Sequence, residues 1–230
     1  MIVPNPGRLH SPLDRIGEYF SERRFVCGID MTFIVEDLRD DCLHPCTIDD
    51  VVAVLELVPA SDWAGIGTIV FRQPSRKQAL LDPAWGRLRY AGEVSTARER
   101  IVATGPMILL DAIEANRVVD WPTGLVPDDQ DELERLRSEG HGIERMGNRY
   151  RIHVSRDSAR RTQLFRTLLH EIGHWFDWLE KVETPAMRGE DFGTLTEHYF
   201  ARPKAEREAF AHRYADDMIR RLTNASAIPF

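Results

Sequence analysis

Apolar residues recur along this chain with two different periods, and the change between them lays out its elements. Leu13, Ile16, Tyr19 and Phe20 return every three or four positions, which predicts a short helix over 13–22. Residues 25–35 are β-prone, and Thr47 followed three positions later by Asp50 predicts a capped helix running to about Leu57. From Gly67 onward the pattern shortens into runs rich in β-branched, aromatic or aliphatic residues at 68–72, 87–90, 107–113 and 150–154, which predicts a small sheet. Residues 123–148 contain Pro127, four glycines and the charged run 128–137, and read as a surface insertion with one exposed helix. The Pro-, Asn- and Gly-rich residues 1–12 read as an irregular arm.

Two amphipathic segments follow. Asp157 or Ser158 is placed to cap a helix reaching about Lys181. Leu164, Phe165, Leu168, Leu169, Ile172, Trp175, Phe176 and Leu179 fall on one broad side of it, and His170, His174 and Asp177 on the other. A second helix, 204–222, carries Ala211, Tyr214, Ala215, Met218, Ile219 and Leu222 along one stripe. The predicted fold class is α+β, with residues 1–60 as an N-terminal elaboration and 61–230 as the main domain.

His170-Glu171-Ile172-Gly173-His174 supplies the chemistry. Histidines at i and i+4 share a helix face and can turn ring nitrogens toward one zinc ion, while the glutamate between them reaches a water on the metal without being a ligand. Gly173 has no side chain to block the cleft in front of that face. Catalytic zinc takes three protein ligands and keeps a position for water. Glu180 would have to reach back from within the same helix, so the third ligand is sought on the second helix. There Glu208 lies on the apolar stripe, whereas Glu206 points nearly opposite. A carboxylate on a buried stripe needs a partner or a metal, because desolvating it unpaired costs several kcal/mol. Ala211 and Ala215 are small enough to let the two helices approach closely.

HEIGHWFD and the string Glu208-Ala209-Phe210-Ala211-His212-Arg213-Tyr214 resemble the two active-site helices of anthrax lethal factor-like peptidases, in the gluzincin branch of the zincins. A looser likeness is to the ImmA/IrrE regulatory peptidases. The resemblance covers residues 150–220. It implies a zincin-like catalytic domain holding one zinc per chain through His170, His174 and Glu208. It also implies endopeptidase activity on a protein or peptide substrate, with Glu171 as proton acceptor and a donor for the oxyanion. His198 and Tyr199 are the candidates for that donor. Tyr199 precedes Glu208 by nine residues, where lethal factor-like enzymes place a tyrosine seven before the glutamate. Asp177 is open to two readings, a group orienting His174 or a solvated carboxylate. His212, one turn past Glu208, reads as a companion to that carboxylate or as a surface histidine.

Net charge of −7 argues against a broad grip on nucleic acid phosphates, leaving a protein or peptide as the expected partner. No stretch approaches the ~18 apolar residues of a membrane span and the start lacks a secretory pattern, so a cytoplasmic location without membrane attachment is expected. Three cysteines, Cys27, Cys42 and Cys46, predict reduced thiols; Cys42, His44 and Cys46 would offer a second metal three ligands and no visible fourth. Two rival functions stay open: a zinc-binding sensor or interaction protein without catalysis, and a zinc hydrolase acting on something other than peptides.

Overall fold

A six-stranded sheet, built from strands within residues 14–111, forms the centre of the fold. The computed structural model describes residues 14–81, 84–98 and 100–224; the arm expected over 1–12 lies outside the described residues. The strands are β1 (Asp14–Ile16), β2 (Tyr19–Val26), β3 (Ile29–Glu36), β4 (Cys42–Leu43), β5 (Thr68–Arg72), β6 (Gly86–Thr96), β7 (Ile101–Asp111), β8 (Ile113–Glu114), β9 (Val118–Pro122), β10 (Gly142–Met146) and β11 (Arg149–His153). The main sheet runs β1-β6-β7-β5-β3-β2. Its β1/β6, β5/β7 and β3/β5 pairs are parallel, and its β2/β3 and β6/β7 pairs antiparallel. The architecture is mixed α and β, compatible with the α+β class.

The helix predicted over 13–22 is replaced by β1 and β2. The three-to-four spacing of its apolar residues is also served by two short strands, and distant partners decide between them. Asp14 to Ile16 pair with Val94 to Thr96, and the buried Asp14 carboxylate accepts from Arg72 at 2.6 Å and from Arg89 at 2.9 Å. The β2–β3 turn is the two-residue loop Cys27-Gly28, both with positive φ (49° and 85°), the geometry whose twist matches that of a hairpin. Residues 14–57, read as part of an N-terminal elaboration, share the sheet and the core with the remainder, because β3 lies between β2 and β5.

Helix α1 (Ile48–Leu57) starts where predicted. Thr47 Oγ1 accepts from Asp50 N at 3.2 Å, and the Asp50 carboxylate accepts from Thr47 N at 2.9 Å. After the short α2 (Arg76–Leu81), α3 (Pro127–Ser138) begins with Pro127 in its first turn, and residues 123–148 prove less superficial than expected. Leu133 and Leu136 of α3 are buried with Ile152 and Val154, and β10 joins β11 and β9 in a small antiparallel sheet.

The long helical segment that follows holds the motif. It comprises α4 (Arg156–Arg161), a wide π-type stretch Thr162–Leu168, α5 (Leu169–Trp178), a second wide stretch Leu179–Glu183, and α6 (Thr184–Met187). Its cap is Ser155 rather than Asp157 or Ser158; Ser158 supplies the reciprocal bond to the Ser155 backbone. Then come α7 (Phe192–Ala201) and α8 (Lys204–Asn224). One sheet face, through Met31, Phe33, Ile69, Phe71, Ile108 and Leu110, packs on Leu164, Leu168, Leu169, Ile172 and Trp175 of the helical segment. Each such side chain contributes about 1.5–3 kcal/mol of hydrophobic stabilisation. Among the described residues no helix is long and apolar enough to cross a membrane.

Candidate metal centre

The packing just described leaves His170 and His174 on the side of α5 away from the sheet core, with ring centroids 4.6 Å apart and planes at 87°. Helix α8 crosses in front of them. It approaches at Gly173, where an added Cβ would stand 3.0 Å from Tyr214 Cβ and 3.1 Å from Ala211 Cα and O. Gly173 therefore makes room for a helix rather than for an open cleft, and the small Ala211 answers it from the other side.

This close approach brings Glu208 to the histidines. Its Oε2 lies 3.2 Å from His170 Nε2 and 3.4 Å from His174 Nε2. Two donors bound to one tetrahedral zinc at about 2.0–2.1 Å stand about 3.3–3.4 Å apart, so these separations match edges of a zinc coordination sphere. Hydrogen bonds from His170, then His174, hold the Glu208 carboxyl far below the usual carboxylate range, against an opposing effect of burial. Glu206 instead is exposed and accepts from Arg202 at 3.0 Å.

His212 belongs to the same cluster. Its ring centroid is 4.5 Å from that of His170, and donor atoms of His170, Glu208 and His212 lie within 4.8 Å of one another. Burial, followed by the charge of His170, pushes its pKa down to about 4, which keeps the imidazole neutral and able to ligate at pH 7. The spacing of His212 from Glu208, i and i+4, repeats that of the two motif histidines and was the signal for this proximity. His170 Nδ1 is buried with no partner among the described residues, so the ring is held through Nε2 and by packing.

Glu171 points elsewhere. Its Oε2 accepts a 2.7 Å hydrogen bond from Leu88 N on β6. Leu88 pairs with Ile108 on one side, and β1 covers the other side of β6 only at Val94 to Thr96. The bond thus ties the glutamate to a stretch of strand edge with no strand partner among the described residues and leaves Oε1 unengaged by it.

Tyr199, a candidate oxyanion donor, and Asp177, left open between a group orienting His174 and a solvated carboxylate, both lie away from the imidazole cluster. Tyr199 is buried at 2% exposure, edge-on to Trp178 at 5.1 Å, and its hydroxyl is committed to Tyr90 Oη at 3.1 Å and to the His174 carbonyl at 3.4 Å. Burial raises its pKa well above the usual phenol range. The hydroxyl meets the backbone of α5, not the imidazole cluster, and His198 is exposed. Asp177, read from the helical wheel as sharing the metal-facing side, is fully buried and accepts from Arg202 Nη1 at 2.7 Å. The arrival of α7 and its following turn closes that sector of α5.

The Cys42–Cys46 segment does not gather a ligand set. Cys46 Sγ donates to Gln163 Oε1 at 3.0 Å, and His44 Nε2 meets the Glu36 carbonyl at 3.0 Å. Burial, the largest influence on each thiol, raises the pKa of Cys42 and of Cys46, and all three cysteines are unbridged.

Two imidazoles and a carboxylate converging at these separations form a donor set that fits zinc, and His212 offers a further donor within 4.8 Å of those of His170 and Glu208. In comparisons with known proteins, no family model matches this chain, and no curated protein or solved structure matches it significantly.

Proposed function

We propose that this chain is a zinc-dependent endopeptidase of the gluzincin type, with His170, His174 and Glu208 as the metal ligands and Glu171 as the proton-transfer group. The observation that carries this reading is the position of Glu208 Oε2, 3.2 and 3.4 Å from the two motif imidazoles on a different helix. The resemblance to lethal factor-like peptidases supports it, as does a mixed sheet whose antiparallel strand β6 runs beside the motif helix. Zinc held by His170, His174 and Glu208 would supply Lewis-acid chemistry toward a scissile carbonyl and the attacking water.

The residues of the chain do the rest. Glu171 accepts a proton from the attacking water and delivers it to the leaving amine. The amide of Leu88 fixes one carboxylate oxygen of Glu171, so that the other is presented with little rotational freedom. Tyr199 supports the back of α5 through the His174 carbonyl and Asp177, and is assigned no part in the chemistry. A protein or peptide is the proposed substrate class, and the cytoplasm the proposed compartment.

His212 favours a second reading. It clusters with His170 and Glu208, and a metal that took it in addition to His174 would have four protein ligands and no position for water, which is the pattern of a structural or sensing site. Metal analysis of the protein and of His212→Ala, coupled to peptide hydrolysis with and without chelator, tests both. Hydrolysis by the native protein supports the peptidase; hydrolysis that appears only in His212→Ala supports the closed site.

A further inference from the structure

Beside the cluster lies a cavity of about 510 Å³, bounded by α3, α4 and α8 and opening onto His212. Its floor is apolar, from Phe165, Ala215 and Ile219, and Arg135 and Arg161 line it as well. Neither arginine has an ion-pair partner among the described residues. Arg166, which also lines the cavity, is already committed: it donates to Glu132 at 2.5 Å and to Glu139 at 3.2 Å. Glu139 is in turn held by the Thr162 hydroxyl; the remaining acid, Asp216, is exposed, as is Arg161, whereas Arg135 is half-buried. Arg135 and Arg161 thus bring to one cavity two guanidinium groups with no ion-pair partner among the described residues, while Glu132 and Glu139 are engaged by Arg166.

The cavity is continuous with the metal cluster through one side chain. His212 lines it, and the ring of His212 is 4.5 Å from that of His170. Arg135 is close enough for its charge to act on His212. An apolar floor with cations at its wall fits an occupant that has a hydrocarbon stem and an anionic head, since guanidinium groups pair with carboxylates in a forked geometry. Its volume falls within the range of ligand pockets, about 300–1,000 Å³.

We propose that this cavity is a specificity pocket for an acidic side chain, Glu or Asp, of a peptide lying across the metal cluster. The assignment rests on the peptidase reading for its context but is tested separately from it. The probe is a set of alanine peptides carrying one Glu walked along the chain, with Gln and Lys counterparts, titrated against zinc-loaded Glu171→Gln protein. At the best position, Glu should bind about tenfold more tightly than Gln, with Lys weakest. The Glu preference should vanish in the Arg135→Gln/Arg161→Gln double variant at unchanged zinc content. Equal binding of Glu and Gln peptides at every position, or a preference that survives the double variant, overturns the pocket. The same peptides offered to native zinc-loaded protein separate the two ideas: acidic preference without cleavage overturns the peptidase and keeps the pocket, and cleavage indifferent to Glu does the reverse.

Discussion

Gly173 of the motif helix and Ala211 of the last helix meet backbone to backbone, so closely that a methyl group fits only if the neighbour yields by a few tenths of an ångström: a Cβ on Gly173 would lie 3.1 Å from both Cα and O of Ala211. The contact sets the distance across which Glu208 reaches the histidines. Gly173→Ala gains about 1 kcal/mol of helix propensity, yet the neighbour it meets is helical backbone that has little freedom to yield. We expect zinc affinity to fall by tenfold or more and thermal stability to drop. A chelator-competition titration beside a thermal melt checks this; unchanged affinity would mean that the helix spacing does not govern the site.

The two glutamates on α8 separate geometry from composition. Glu208→Ala removes the carboxylate shared by His170 and His174 and should cost zinc affinity by at least 10²-fold, whereas Glu206→Ala, an exposed substitution, should change stability by no more than about 0.5 kcal/mol and leave zinc binding intact. Zinc titrations of both variants against the native protein decide it.

Behind the site, Arg202 neutralises the fully buried Asp177. Arg202→Met leaves that carboxylate without its counter-charge and should destabilise the fold by about 3–5 kcal/mol. Adding Asp177→Asn should recover a substantial part of the loss. Denaturant unfolding of the single and double variants measures the coupling, and additive effects would mean that the pair is energetically independent.

His141 gives the fold an acid sensitivity of its own. The imidazole is 4% exposed, bonded to Thr162 Oγ1 at 2.9 Å, and burial, followed by the charge of Arg166, pushes its pKa down from 6.5 to about 4. A histidine depressed in the folded state contributes stability that is complete above the unfolded value and is lost as pH falls through the folded one. Stability should therefore decline between about pH 6.5 and 4, and His141→Asn should flatten that part of the profile. Denaturant midpoints over this range test it, and an identical slope in the variant would assign the decline to other groups.

What could be read in the sequence follows from how local the deciding forces are. The Thr47–Asp50 cap is a bond between residues three apart, and strand β5 is a short run of β-branched and aromatic residues, Thr68 to Phe71, ending at Arg72, so both fell where expected. Glu208 was readable because Ala211, Ala215, Met218 and Leu222 fix which side of α8 is buried. The start of the chain was not, since Asp14 and Ile16 depend on Arg72 and on Val94 to Thr96, far along the sequence. Asp177 and Tyr199 escaped for the same reason. The helical wheel sorts the faces of α5, but only the arrival of Arg202 and Tyr90 determines which of them a partner closes. His212 carried its signal in its spacing from Glu208 and needed the crossing of α8 over α5 to give it meaning.

The central claim is that zinc at His170, His174 and Glu208 serves hydrolysis with Glu171 as base, and mapping of newly formed peptide termini in a protein lysate tests it most directly. Native protein and Glu171→Gln should be compared, each brought to about one zinc per chain. Gln keeps the shape of the side chain but cannot take a proton, so the variant should retain zinc and lose about 10²–10⁴ in rate. The account predicts new termini from the native protein, abolished by chelator and absent with the variant. No new termini from the zinc-loaded native protein, or the same termini at the same rate from the variant, would contradict it.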